Sequence, residues 1–230
     1  LAQAKDFEVV GVFTQPDKPA GRSKTPQPTP VKERAEKLGL PVFDPKTLKS
    51  SASLDLLRSL KPDAIAVVAY GKLLPKEALD IPSKGVLNLH PSLLPKYRGP
   101  SPIPFALLEG EEKTGVTIML LDEEMDHGPI LAQHEIPIDK KDTTETLLLR
   151  AGEVGAEFFV RTLERYLSGE ASPAPQDHSR ATFTKILSRE DGKIDWKDSA
   201  EDIERKIRAF APWPGTHTVL GGKRIKILEA

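Results

Sequence analysis

Two side chains that could act together on a carbonyl group lie two residues apart in the stretch GVLNLHPSLLPKYRGPSPI, residues 85 to 103. Asn88 and His90 end a short apolar run, and residues two apart on a β-strand point to the same side of the sheet. The Asn88 amide is a fixed hydrogen-bond donor, and His90 titrates near neutral pH. Together they could bind and protonate the oxyanion that forms when a carbonyl is attacked. The alternative is that both side chains only form hydrogen bonds with backbone groups of the following loop.

A carboxylate would complete such a site, because it would orient the imidazole and raise its pKa. The turn DEEMDHG offers four candidates, which are Asp122, Glu123, Glu124 and Asp126. By default this turn is a solvated hairpin tip. Asp126 stands closest to Gly128 and the following strand, and from position alone it is our choice.

The elements that must position these residues alternate in the first half of the chain. EVVGVF, DAIAVVAYG and GVLNLH are short apolar runs typical of buried strands. Between them, Thr29 is predicted to cap a helix that ends at Gly39, and Ser53 to cap a second helix. This alternation predicts a mostly parallel α/β sheet, in which ligands bind beyond the carboxyl ends of the strands. Asn88 and His90 lie at such an end.

The pattern changes after residue 115. GVTIMLL and PILAQHEIPI are separated only by the acidic turn, so they predict an antiparallel pair. Thr143 or Thr144 then opens a long helix through Tyr166, which Gly169 ends. Residues 169–181, GEASPAPQDHSRA, have the small, polar and proline-containing composition of a linker. We therefore predict a catalytic domain over 1–168 and a second, β-rich domain over 182–230 that includes a hairpin turning on Gly221–Gly222.

Composition excludes several classes of function. The chain has 230 residues and no cysteine, which excludes disulfides, thiolate catalysis and cysteine zinc sites. Its net charge of −1 gives no overall basic field. No apolar run approaches the ~20 residues of a membrane span and no signal peptide is visible, so we expect a cytoplasmic protein with no membrane association. Asp126, His127 and His134 match no known spacing of metal ligands, and we predict no metal.

Known nucleotide and nucleophile motifs are missing. The sequence contains neither G-x-G-x-x-G nor the P-loop pattern, and without G-x-S-x-G the side chain of Ser92 is a poor nucleophile. The proline-rich loop TQPDKPAGRSKTPQPTP, residues 14–30, contains Lys18, Arg22 and Lys24. Such a loop is usually just solvated, but long loops without regular structure tend to be functional, and these side chains suit phosphate recognition.

The combined motifs resemble a known family. GVLNLHPSLLPKYRGPSPI followed by GVTIMLLDEEMDHGPILAQ is similar to the folate-dependent formyltransferases, and within them to the enzymes that act on methionyl-tRNA. The family pattern is an Asn-x-His strand end, a Ser-Leu-Leu-Pro loop and an Asp in an Asp-x-Gly context. Asn88, His90 and Asp126 fall on those positions. The resemblance covers nearly the whole chain.

The resemblance implies a function and a set of binding residues. It implies formyl transfer from 10-formyltetrahydrofolate, a co-substrate, to the α-amine of initiator methionyl-tRNA. Asn88 and a protonated His90 would bind the oxyanion, and an ionised Asp126 would keep His90 charged. The folate site would be lined by Ser92, Leu93, Leu94 and Pro95. Arg22 and Lys24 would contact the tRNA acceptor stem, and residues 182–230 would begin an OB-like domain. We expect a monomer.

Two departures from the family pattern lead us to expect a fragment cut at both ends. The first strand, with its Gly-Thr-Pro-Glu-Phe segment, does not precede Leu1, and most of the C-terminal barrel does not follow Ala230.

The nearest rivals share the core: a sugar-nucleotide amine formyltransferase, a glycinamide ribonucleotide formyltransferase or a formyltetrahydrofolate hydrolase. The loop around Arg22 and the second domain argue against the glycinamide enzyme, while only the loop argues against the sugar enzyme. A non-catalytic RNA-binding protein would have no need of Asn88, His90 and Asp126.

Overall fold

The computed structural model describes residues 1–4, 6–19 and 25–230. Short strands and helices alternate through the first half, as the sequence predicts. The elements are β1 (Val12–Phe13), β2 (Lys18–Pro19), β3 (Pro26–Gln27), α1 (Pro30–Lys37), β4 (Val42–Phe43), α2 (Ser51–Ser59), β5 (Ile65–Val68), α3 (Lys76–Leu79), β6 (Val86–His90), α4 (Pro102–Leu108), β7 (Lys113–Leu120), β8 (Ile130–Pro137), α5 (Thr144–Leu167), α6 (Ala200–Ala209), β9 (Thr216–Leu220) and β10 (Lys223–Ile227).

The chain divides into two compact units. The first comprises Leu1–Asn88 and Leu121–Glu123, and the second comprises Leu89–Leu120 and Glu124–Ala230. Strands follow one another in the order β5-β6-β7-β8. Strand β6 contributes residues to both units, since Asn88 ends one segment and Leu89 begins the next.

The first unit is built on the parallel pair β1 and β4, in which Val12 lies opposite Val42 and Phe13 opposite Phe43. One cluster of its buried apolar residues comes from α2 and α3, with partly buried neighbours from strands and loops. This cluster consists of Leu54, Leu57 and Ala78, packed against Phe13, Ile65, Leu74 and Ile81. Apolar residues on one face of each short helix therefore cover the strands, which is the packing an α/β sheet requires.

The starts of α1 and α2 differ in how well the sequence predicts them. Thr29 caps α1 as predicted, because its Oγ1 accepts from the backbone N–H of Lys32 at 3.1 Å. The prediction that Ser53 caps α2 is wrong, since Ser50 is the cap and accepts from the Ser53 N–H at 3.2 Å. Ser53 is one turn inside the helix and is buried. In a serine-rich run, the cap is the residue whose oxygen reaches an N–H three positions on.

The second unit packs α4, α5 and α6 with the antiparallel pair β7 and β8. Its core consists of Ile103, Leu107, Val116, Ile136, Leu147, Ala151, Leu187, Ala209 and Phe210. Helix α5 begins at the predicted Thr143 cap and is followed by Gly169, whose φ of +82° stops it. Residues beyond 186 thus share one apolar core with the residues that precede 160.

The C-terminal segment ends in the predicted hairpin. Strands β9 and β10 pair antiparallel from Leu220 opposite Lys223 to Thr216 opposite Ile227. Gly221 and Gly222 connect them with φ values of +56° and +75°, which only glycine adopts readily at both positions of a two-residue turn. Among the described residues, no helix has both the length and the apolar character needed to cross a membrane.

Candidate active site

His90 is the last residue of β6, and both of its ring nitrogens face oxygen atoms. Its side chain is 5% exposed. Nε2 lies 2.9 Å from the Tyr97 carbonyl oxygen, and because a carbonyl only accepts, Nε2 carries the hydrogen. Nδ1 lies 3.6 Å from Oδ2 of Asp126. The strand end therefore holds an imidazole between one carbonyl and one carboxylate.

Burial and two neighbouring oxygen acceptors act in opposite directions on the pKa of this imidazole. Burial lowers the pKa of His90, because the charged form loses its hydration, while the Asp126 carboxylate and the Tyr97 carbonyl oppose this by raising it. That Asp126 keeps His90 charged stays a prediction. With hydrogen on Nε2, the electron pair of Nδ1 faces Asp126. A proton added at Nδ1 would lie next to the carboxylate.

Asp126 is the acidic residue of the turn that reaches His90. Its side chain is 13% exposed, and Oδ2 accepts a hydrogen bond from the Gly99 N–H at 2.7 Å. Its φ of +50° is in the left-handed region, which costs a non-glycine residue free energy. By contrast, Glu123 is exposed and lies 3.4 Å from Lys76 Nζ. The structure thus brings together the two residues that the sequence pattern selected, at a point of backbone strain.

The loop after β6 supplies the backbone groups of the site, and it depends on a glycine. Gly99 has a φ of +105°, and a Cβ there would meet the Thr184 carbonyl oxygen at 2.8 Å. Thr184 in turn donates its N–H to the Arg98 carbonyl at 2.7 Å. Tyr97 has a φ of +61°, and its N–H donates to Thr182 Oγ1 at 2.8 Å. Residues 182–184 therefore hold the loop that contacts both His90 and Asp126.

Asn88 precedes His90 by two residues on β6, and it is half-buried. Strand alternation directs its amide to the same side as the imidazole. The amide can donate two hydrogen bonds.

The four residues predicted to line a folate site fall into two groups. Ser92 and Leu94 are buried, and their groups hold the loop itself: Ser92 Oγ donates to the Lys96 carbonyl at 2.7 Å, and the Leu94 N–H donates to Thr117 Oγ1 at 3.2 Å. Leu93 and Pro95 are partly exposed. Their apolar surface suits the flat face of an aromatic ring system such as a pterin.

The predicted tRNA-contacting residues, Arg22 and Lys24, lie outside the described residues. The two ends of their loop are described. Strands β2 and β3 pair antiparallel, with Lys18 opposite Gln27. The Nζ of Lys32 binds Asp17 at 2.9 Å and Asp44 at 2.8 Å, and these contacts raise the pKa of Lys32. The base of the loop is thus closed by backbone pairing and by ion pairs.

No group of three or more His, Asp or Glu side chains arranged to hold a metal ion occurs in the described part of the chain.

Two residues at the site had no role in the sequence-based prediction. Arg98 is 3% exposed, and it donates to Gln176 Oε1 from Nε at 3.2 Å and from Nη2 at 2.7 Å. Gln176 belongs to the segment predicted as a linker, yet it is 6% exposed. Proline and small polar residues around it gave no signal of burial, and no spacing pairs it with Arg98.

Comparison with known proteins identifies the family of this chain. The Formyl transferase family model matches residues 2–163, and the model of the Formyl transferase C-terminal domain matches residues 186–230. The chain is 51% identical, over 97% of its own length and 72% of the relative's, to the methionyl-tRNA formyltransferase of Roseiflexus castenholzii.

Solved structures show the same fold. A sugar N-formyltransferase from a Shewanella species matches 84% of this chain and 78% of its own with a TM-score of 0.70 and 20% identity. HypX from Aquifex aeolicus in complex with tetrahydrofolic acid matches 86% of this chain and 34% of its own with a TM-score of 0.66 and 23% identity. The predicted α/β fold class, with strands in the C-terminal part, is confirmed. The chain belongs to the formyl transferase family.

Proposed function

We propose that this chain transfers a formyl group from 10-formyltetrahydrofolate to the α-amine of methionyl initiator tRNA, for translation initiation in the cytoplasm. The choice of acceptor is carried by the 51% identity to a methionyl-tRNA formyltransferase over nearly the whole chain. The buried pair of His90 and Asp126 supports the chemistry, since their 3.6 Å separation places a titrating ring beside a carboxylate.

Formyl transfer needs one proton to move and one oxyanion to be stabilised. The α-amine has a pKa of about 7.7–8.0, so a useful fraction is neutral at pH 7. Its nitrogen forms a bond to the formyl carbon, and the carbonyl electron pair moves onto the oxygen. The bond from that carbon to the folate nitrogen then breaks. In balance, one proton passes from the amine to the departing nitrogen.

Each of the three polar residues has a role in this balance. The Asn88 amide donates a hydrogen bond to the developing oxyanion. His90 accepts the amine proton at Nδ1, where the Asp126 carboxylate stabilises the imidazolium that forms, and this imidazolium adds a positive charge near the oxyanion. Only the neutral form of the ring can accept the proton, and burial, which lowers the pKa of His90, favours that form. His90 then releases it toward the leaving group.

The binding residues and the domain division form part of the same proposal. Leu93 and Pro95 present apolar surface to the folate ring, while Ser92 and Leu94 hold the loop in shape. Arg22 and Lys24 contact the acceptor stem of the tRNA, which is supported by the basic composition of their loop and by the resemblance. Residues 1–168 form the catalytic domain, and 182–230 begin an OB-like domain that contacts the stem.

The test measures formyl transfer from 10-formyltetrahydrofolate to charged initiator tRNA and, in parallel, to an amino-sugar nucleotide. We expect activity with the tRNA alone. Asp126→Asn should lower kcat by roughly 100- to 10,000-fold, which is the range for losing acid–base assistance. Asparagine tolerates a positive φ, so this variant should keep its fold. Transfer to the sugar nucleotide alone would overturn the choice of acceptor, and near-normal turnover by Asp126→Asn would overturn the role of the carboxylate.

A further inference from the structure

Gln176 uses the full hydrogen-bonding capacity of its side-chain amide inside the second unit. Its Oε1 accepts from Arg98 Nε at 3.2 Å and from Arg98 Nη2 at 2.7 Å. Its Nε2 donates to the Asp126 carbonyl oxygen at 2.9 Å and to the Gly128 carbonyl oxygen at 2.7 Å. An amide offers two acceptor sites and two donor hydrogens, so all four are used.

The two sides of this amide lead to the two segments that surround His90. On one side, Arg98 stands between Tyr97, whose carbonyl binds His90, and Gly99, whose N–H binds the Asp126 carboxylate. On the other side, Gln176 binds the backbone of Asp126 itself. One residue of the linker segment thus connects the loop after β6 with the acidic turn.

The acidic turn needs such a connection, because its backbone is strained. Asp126 has a φ of +50°, and a left-handed non-glycine residue persists only where its surroundings hold it. Two contacts do so: the Gly99 N–H binds its side chain, and the Gln176 amide binds its carbonyl oxygen. A buried carbonyl that lost its donor would favour a rearranged turn.

The segment around Gln176 is itself bound to β8, the strand that follows the acidic turn. Ala174 exchanges two backbone hydrogen bonds with Ile130, each 2.8 Å long. Asp177, the next residue, faces outward and its Oδ1 accepts from the Ser179 N–H at 3.2 Å. The inward Gln176 and the outward Asp177 therefore differ in contacts while sharing the same short stretch of backbone.

We propose that Gln176 is a positioning residue that holds the Asp126 carboxylate beside His90, so that the linker between the two proposed domains is a part of the active-site framework. The inference rests on the proposed function, since it assigns Gln176 a role in that reaction. Gln176 acts through Asp126 and does not touch the reacting atoms.

The test compares Gln176→Glu with Asp177→Asn in the formyl-transfer assay with charged initiator tRNA. Gln176→Glu keeps the acceptor for Arg98 but replaces the donor to Asp126 and Gly128 with an acceptor, which repels both carbonyl oxygens. We expect kcat to fall about 10- to 100-fold with KM for the tRNA changed less than about threefold, as a small misplacement of a catalytic group produces. Asp177→Asn retains a capping side chain and should leave both constants unchanged.

A double variant separates positioning from general loss of structure. If Gln176 acts through the carboxylate, Gln176→Glu should cost less than about threefold when added to Asp126→Asn, because the carboxylate it positions is already gone. An equal loss in both backgrounds, or an unchanged kcat in Gln176→Glu alone, would overturn the inference. An inactive wild-type protein would instead overturn the proposed function.

Discussion

Two proline-rich stretches of this chain, residues 14–30 and 169–181, have similar compositions but are held in different ways. The base of the first is closed by exposed or half-exposed groups: Lys32 binds Asp17 and Asp44, and Lys18 pairs with Gln27. The second is held by a buried amide, since Gln176 is 6% exposed and fully hydrogen-bonded.

The difference teaches what such a composition can predict. Proline and small polar residues exclude regular helices and strands, and both stretches have little of either. They do not determine whether a segment is buried. Exposed ion pairs are screened by salt, so the contacts of Lys32 with Asp17 and Asp44 contribute little to stability. A buried and saturated amide is costly to displace, so the second stretch is fixed.

The largest effect should come from Gly99→Ala, which would displace residues 182–184, directly after the fixed stretch. The new Cβ would meet the Thr184 carbonyl oxygen at 2.8 Å, and the residue would keep a φ of +105° that alanine rarely adopts. We expect the free energy of unfolding to fall by about 2–4 kcal/mol, from strain and overpacking together. Urea denaturation measures this change.

Gly152→Ala is the matched control. Gly152 lies within α5, and a Cβ added there has no described atom within 4 Å. This variant should be neutral or more stable by up to about 1 kcal/mol, because alanine favours helices. Equal stability of the two variants would mean that residues 182–184 do not constrain the loop.

A smaller effect should appear in the pH dependence of stability. Burial lowers the pKa of His90 in the folded protein, whereas an unfolded histidine titrates near 6.5. Below about pH 6.5 the unfolded chain binds more protons than the folded protein does. This contribution to the free energy of unfolding is therefore fully present above that pH. It is lost as the pH decreases, by at most about 1.4 kcal/mol per pH unit.

Unfolding of the wild type and of His90→Gln between pH 5 and 8 measures this contribution. His90→Gln should lack this contribution, so its free energy of unfolding should change less with pH below pH 6.5. His134→Gln, which removes an exposed histidine of β8, should keep the wild-type slope. Parallel profiles for the wild type and His90→Gln would contradict the assignment of His90 as a buried, neutral base.

The smallest effect on the folded protein should come from a substitution in the loop of residues 14–30. Arg22→Ala should leave stability unchanged, raise the KM for charged tRNA several-fold, and reduce the slope of log affinity against log salt by about one, as loss of one phosphate contact does. Arg161→Ala removes an arginine that is 71% exposed on α5 and serves as the control. An unchanged KM and salt slope in Arg22→Ala would remove the loop from tRNA recognition.

Sequence reasoning succeeded where the needed information is local. The two-residue spacing of Asn88 and His90, and the turn that contains Asp126, are visible in the sequence because a strand and a hairpin fix them. The caps at Thr29 and Thr143 follow from residue type and position. The antiparallel pair of β7 and β8 follows from the short connection between them.

It failed where the answer depends on distant residues. Burial, which lowers the pKa of His90 against the effect of Asp126, is not revealed by the neighbouring residues along the chain. Gln176 binds Arg98, which lies 78 positions away in the sequence, and neither residue type predicts this contact. Contacts of this kind are created by the packed fold and have no periodicity to detect.

The left-handed backbone at Asp126 limits which substitutions this site can accept during evolution. Glycine would relax that conformation, since it adopts a positive φ at no steric cost, but it would remove the carboxylate. Substitutions that favour folding and substitutions that favour chemistry are therefore different at this position. The stabilising energy that keeps an aspartate there comes from Gly99 and Gln176, so loss of either contact would favour a relaxed and less active turn.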